Sequence, residues 1–174
     1  MASAKVLADG RTKVTRLTAA PADPDAITDT EVLAGTAWDP YILSSDFKLG
    51  PSGSGTIGEK PLSVMGDIKV WTTSGYDGCQ MTLFRYYDTT DDQPDLAADA
   101  AFQAAKDKGT TLYLVVRKSA KAATDAWEAG DEYSYFEVLT DDPQDGSGDG
   151  YIKKIVPLAV QNASLDKVIV AESA

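Results

Sequence analysis

The chain has 174 residues, a net charge of −11, no histidine and a single cysteine, Cys79. That length makes one ordinary domain with a real core, while the missing imidazole excludes Ser-His-Asp and Cys-His nucleophile pairs, His-ligated zinc or haem and an imidazole pH switch. One cysteine excludes an internal disulfide and CxxC metal sites, the acidic balance argues against a general nucleic-acid binder, and no run approaches the ~18 apolar residues of a membrane span.

MASAKVLADG at the N-terminus lacks an apolar core after its charge, so no secretory signal is expected and the setting is a reducing cytosol or a particle assembled there. Residues 1–12 read as an N-terminal arm and 13–174 as a single domain. Lys13 to Thr18 alternates and is β-prone, which predicts a first strand. After a Pro-broken loop, Thr28-Asp-Thr-Glu31 fits a capping box, and Gly35 marks the stop of one short helical turn. Trp38 to Leu43 predicts a short strand interrupted by Pro40.

Ser44 to Pro61 is the most unusual segment, with four Gly, two Pro and four Ser in eighteen residues. Its flanks still alternate, and the pattern predicts a long, flexible hairpin arm projecting from the body. The arm includes Ser45, Asp46, Phe47, Lys48, Leu49, Gly50, Pro51, Gly53, Gly55, Ile57, Glu59 and Lys60.

Asp67 to Thr72 and Gly78 to Tyr87 are the next expected strands, the second with Cys79, Met81 and Leu83 on one face. Asp95 to Lys108 is the one convincing helix, with Pro94 near its start, Lys106 and Lys108 in the last turn and Gly109 at the stop. Leu96, Ala98, Ala101, Phe102 and Ala105 form its apolar stripe. Thr110 to Arg117 and Glu132 to Thr140 predict two more strands. Tyr151 to Gln161 and Ser164 to Ala171 predict a closing hairpin around Asn162-Ala163, with Pro157 at an edge or bulge. Six to eight strands, one real helix and no βαβ rhythm make a mainly β fold, an antiparallel sandwich or barrel with one flanking α-helix.

Motifs that could carry chemistry fail on context. Gly53-Ser-Gly55-Thr-Ile-Gly58 matches GxGxxG, but Glu-Lys-Pro follows and no helix can open there. The overlapping Gly50 to Thr56 lacks the lysine and the helix of a phosphate loop. Asp141, Asp145, Gly146 and Asp149 resemble a calcium loop that has Pro143 and Ile152 where ligands are required. Carboxylate pairs such as Asp131/Glu132 and Asp91/Asp92 are expected by chance on so acidic a chain. Cys79 reads as a small buried hydrophobe, and Asn162-Ala-Ser164 as a glycosylation sequon by pattern only. Charge is blocked instead: residues 21–46 carry six acids and no base, and residues 125–149 carry nine acids and no base. Such blocks suit solubility, or a subunit whose opposite ends recognise each other.

The order of these pieces resembles the major tail protein, the tail-tube subunit, of long-tailed, non-contractile phages that infect actinobacteria. The match rests on Glu31-Val-Leu-Ala-Gly-Thr36, on Gly75-Tyr-Asp-Gly-Cys-Gln-Met-Thr-Leu-Phe-Arg-Tyr86 and on Ala104-Ala-Lys-Asp-Lys-Gly-Thr-Thr-Leu-Tyr-Leu-Val115. It continues through Ala129-Gly-Asp-Glu-Tyr133, Asp141-Asp-Pro-Gln144 leading to Gly150-Tyr-Ile-Lys153, and Val156-Pro-Leu-Ala-Val-Gln161. The similarity spans about residues 13–170. It implies a tail-tube-like β-sandwich, a structural virion protein without catalytic residues or cofactor, and assembly in the host cytoplasm. Its implied partners are further copies in hexameric rings stacked into a tube, a tape-measure protein and tail-tip or terminator proteins. It further implies that phage DNA passes through the lumen without specific binding, and that the arm residues Ser45 to Lys60 named above meet a neighbouring subunit or ring. The rival readings are a carbohydrate-binding or adhesion module using Trp38, Trp71 and Trp127 as a sugar platform, and a related tail connector or terminator protein.

Overall fold

A computed structural model describes residues 5–58, 62 and 70–172. The strands are β1 (Thr12–Leu17), β2 (Thr36–Ala37), β3 (Gly53–Ile57), β4 (Val70–Gly75), β5 (Gln80–Phe84), β6 (Thr111–Lys118), β7 (Glu132–Thr140), β8 (Gln144–Asp145) and β9 (Lys153–Val168). Two short helices, α1 (Asp29–Leu33) and α2 (Ala100–Ala105), flank them. The main sheet runs β2-β1-β6-β7-β9-β5 with β8 beside β9, and every pairing in it is antiparallel. The expected class, a mainly antiparallel β fold with helical flanks, is what forms.

The run TLYLVVRK explains why the sheet has two covered faces. A strand buried on both sides reads as continuously apolar, and along β6 alternate residues enter separate cores. Leu112, Leu114 and Val116 join Val14, Phe136 and Val138 in the larger one. Long β9 passes from β7 to β5, and so carries Met81, Leu83 and Cys79 over that same face, with Ala101, Phe102 and Ala105 of α2 packed in. On the opposite face Val115, Tyr133 and Tyr135 meet Leu17, Ile27, Val32, Trp127 and Ile169.

The capping box forms as expected, with Glu31 N donating to Thr28 Oγ1 at 3.2 Å and Thr28 N donating to Glu31 Oε2 at 2.9 Å. Gly35 follows directly after the helix, where the stop was expected, and also serves a second end. The helix closes on Ala34, and a Cβ on Gly35 would lie 2.5 Å from Thr15 Cγ2 and 2.9 Å from the Arg16 carbonyl, so the glycine lets β2 approach β1.

Several expectations are corrected. Trp38 to Leu43 is a 3₁₀ turn at Asp39–Tyr41 followed by one bridge from Ile42 to Leu83, because Pro40 favours the turn over a ladder. The helix is confined to Ala100–Ala105. Asp99 at its start accepts hydrogen bonds from the Arg85 guanidinium and Tyr86 N, and Leu96 stands 68% exposed, outside the apolar stripe. The closing hairpin is absent. Asn162 and Ala163 lie inside β9, opposite Glu137 and Phe136, and Tyr151 and Ile152 precede it. Asn-Ala lacks the glycine that favours a two-residue turn. The extra residues are taken up as register shifts opposite Glu137/Val138 and Tyr133/Tyr135, the second with Asp166 at a φ of 53°.

Pro157 lies inside the sheet rather than at an edge. It is opposite Gln80, where β9 changes partner from β5 to β7. Asp141 N donates to the Pro157 carbonyl at 3.1 Å, but the reciprocal bond cannot form without a proline N–H, and the β7 ladder ends at Thr140.

Candidate assembly interface

The projecting element is a β3–β4 hairpin, paired only with itself among the described residues. It differs from the expected arm at both ends. Phe47 and Leu49 pack on the larger core, Lys48 and Gln80 exchange backbone hydrogen bonds at 3.0 and 2.8 Å, and the Cys79 thiol donates to the Gly50 carbonyl at 3.5 Å. Ser45 and Asp46 sit in a 3₁₀ turn, where Asp46 Oδ2 accepts from Thr82 Oγ1 at 3.4 Å. Residues 45–50 are thus a root held to the body by apolar burial, and Pro51 begins the projection. Gly53, Gly55 and Ile57 lie on β3. Glu59 and Lys60 lie outside the described residues.

The return strand is β4, whereas a strand was expected over Asp67 to Thr72, beyond the arm; residues 67–69 lie outside the described residues. Ser54 pairs with Ser74, Thr56 with Trp71 and Ile57 with Val70, with a register shift between Ser54 and Thr56. Glycine leaves room at the shift, since a Cβ on Gly55 would stand 2.5 Å from Thr72 Oγ1 and that side chain would have to turn away. Ser52 N donates to the Gly75 carbonyl at 2.8 Å and Asp77 N to Ser52 Oγ at 2.9 Å, closing the base.

Two properties set this hairpin apart. GSGTI and VWTTSG contain no charged residue in a chain that is 25% charged. Ile57, Val70 and Trp71 are all exposed, Trp71 at 73%, although a two-stranded hairpin is marginal in water without a surface to pack on. Trp71 and Val70 fell outside the expected arm because their strand pattern is the same in a body strand. The distinguishing signal is that every other residue from Val70 to Gly75 is small or hydroxylic.

The body offers two further open features. From Ala159 to Lys167, β9 is paired with β7 alone among the described residues, leaving its second edge without a strand partner. Near it a groove of about 260 Å³ has both apolar lining, from Leu49, Phe136 and Leu165, and charged lining, from Lys118, Glu132 and Asp166. Elsewhere the surface is acidic and partly self-neutralised. Lys108 lies 2.6 Å from Asp141 and 3.4 Å from Asp142, and those hydrogen bonds raise the lysine pKa and lower that of Asp141.

Catalytic and ligand-binding readings find no support in this arrangement. Among the described residues no three His, Cys, Asp or Glu side chains converge as metal ligands, and no helix is long and apolar enough to cross a membrane. Trp38 and Trp127 are core residues at 2% and 4% exposure, which removes the sugar platform and leaves Trp71 as the one solvent-exposed tryptophan.

An open strand edge and an uncharged, solvent-borne hairpin on a two-faced β body are the build of an assembly subunit rather than an enzyme. A family model described as phage tail tube protein matches residues 1–173, and the chain belongs to that family. It is a structural, non-catalytic tail-tube component of the virion. A search of curated proteins returned no match.

Proposed function

We propose that six copies close into a ring, that rings stack into a tube built in the host cytoplasm around a tape-measure protein and closed by tail-tip and terminator proteins, and that the hairpin staples one copy to another. The tube then conducts phage DNA without binding it specifically. The observation that carries this reading is the β3–β4 hairpin. It exposes Ile57, Val70 and Trp71, with no surface among the described residues to cover them. The open β9 edge supports it, because ring closure pairs edges that a monomer leaves exposed. Charge suits a conduit: six times −11 gives −66 per ring, and acids facing the lumen repel phosphate.

Like charge opposes assembly of acidic subunits, and salt screens it over a Debye length of ~10 Å at 0.1 M and ~3 Å at 1 M. Sedimentation of the purified chain therefore shifts from monomer toward rings and tubes as salt and protein concentration rise, with tubes visible by negative-stain microscopy. A chain that stays monomeric throughout, or a mature particle whose tail lacks it, overturns the reading.

A further inference from the structure

We propose that the docking site for the hairpin is the aromatic cleft at the far end of β5 on a second copy of the chain, a reading that rests on the staple function above. The cleft, of about 470 Å³, is lined by Pro40, Phe84, Arg85, Tyr86, Tyr87 and Tyr151.

Its walls are already set. Phe84 and Tyr151 meet edge to face at 6.0 Å, and Tyr41 and Tyr86 do so at 5.8 Å. Arg85 N donates to the Ile152 carbonyl at 2.9 Å, which holds the segment bearing Tyr151 beside the end of β5. Yet Tyr151 is 81% exposed, and Ile152 and Tyr87 are exposed with it. The single charge in the lining, Arg85, is neutralised by Asp99 at 3.0 Å and lies over the Phe102 ring at 4.0 Å.

Charge selects the occupant. Two copies each at −11 repel over most of their surfaces. The described hairpin strands and this cleft are both free of net charge and both expose large apolar groups, so they meet without that penalty. Placement selects a second copy rather than the same one. The hairpin roots at the Lys48–Gln80 pair, at the start of β5, and the cleft begins at Phe84, its last residue. Surfaces at opposite ends of one strand join head to tail, and such a heterologous contact repeats into rings or filaments.

The test uses Trp71→Cys and Tyr151→Cys, both at exposed positions, each diluted into wild-type chains so that tubes form. Under oxidation, tubes holding both variants give a disulfide-linked dimer that tubes holding either variant alone do not. Assembly of the wild type also moves tryptophan emission to shorter wavelength, a change that reports Trp71 because Trp38 and Trp127 are already buried. Tubes that incorporate both variants without the mixed dimer overturn the cleft as receptor and leave the staple standing. Tubes with no emission shift overturn the staple itself, as does failure of the wild type to form any multimer.

Discussion

Replacing Gly53–Ser74 with a two-residue turn leaves a folded monomer that no longer forms tubes. The excision is geometrically mild, because Ser52 N and the Gly75 carbonyl are 2.8 Å apart and the chain is already closed at that point. The root survives: Leu49, the Lys48–Gln80 exchange and the packing of Tyr76 on the core all lie outside the removed segment. The thermal midpoint of the monomer accordingly stays within about 4 °C of wild type, a change of roughly 1 kcal/mol. The loss falls on association. Covering an aliphatic side chain such as Ile57 or Val70 contributes about 1.5–3 kcal/mol when burial is complete, and an aromatic ring adds comparable area. Repeated at every subunit, that loss removes the drive that offsets electrostatic repulsion. Normal tubes from the excised chain, seen by electron microscopy, contradict the staple.

Asp131→Ala lowers monomer stability by about 3–5 kcal/mol in urea unfolding, because it leaves a buried cation without its counter-charge. Arg117 is fully buried, with Nη1 2.8 Å from Asp131 Oδ2, and it also donates to the carbonyls of Ala122, Asp125 and Ala126 at 2.9–3.0 Å. These bonds fold the loop between β6 and β7 onto the smaller core and place Trp127, whose Nε1 donates to Thr15 Oγ1 at 2.8 Å.

Burial pushes the Asp131 carboxyl pKa up, but hydrogen bonds from Lys121, Glu128 N and Arg117 outweigh it and hold the pKa below the ordinary value. A carboxylate depressed in the folded state stabilises fully above its unfolded value of about 3.9 and loses that contribution as pH falls through the folded value. The stability gap between wild type and Asp131→Asn therefore stays constant above about pH 5 and narrows below about pH 4. A gap that does not change across that range contradicts the role given to the carboxylate.

What the residues declared in advance follows a physical line. Glu132–Thr140 was legible to the residue because a run rich in aromatic and β-branched residues sits between Gly130-Asp131 and Asp-Asp-Pro. The capping box was legible because it is local, with donors and acceptors only three residues apart. The course of β9 was not. Its partners Gln80 and Glu132 lie far away in sequence, and nothing in Asn162-Ala163 states whether the chain turns or bulges. The length of α2 failed for a related reason. Asp99 has ordinary helix-start chemistry, but its carboxylate is bound to Arg85, on the segment leaving β5, which a local pattern does not reveal.

The candidate site was half legible. Gly-Ser richness marked β3, whereas β4 looked like any strand and the root looked like part of the arm. Apolar Phe47 and Leu49 settle which residues stay with the body, and that depends on a core assembled from the whole chain.

The central claim is that this domain completes its β-structure against other copies of itself, and electron cryomicroscopy of the assembled tube tests it most directly. The account predicts that in every subunit the strands Gly53–Ile57 and Val70–Gly75 lie against a neighbouring copy, with Trp71 enclosed. A tube in which each hairpin folds back on its own body, or stands in solvent touching no other subunit, contradicts it.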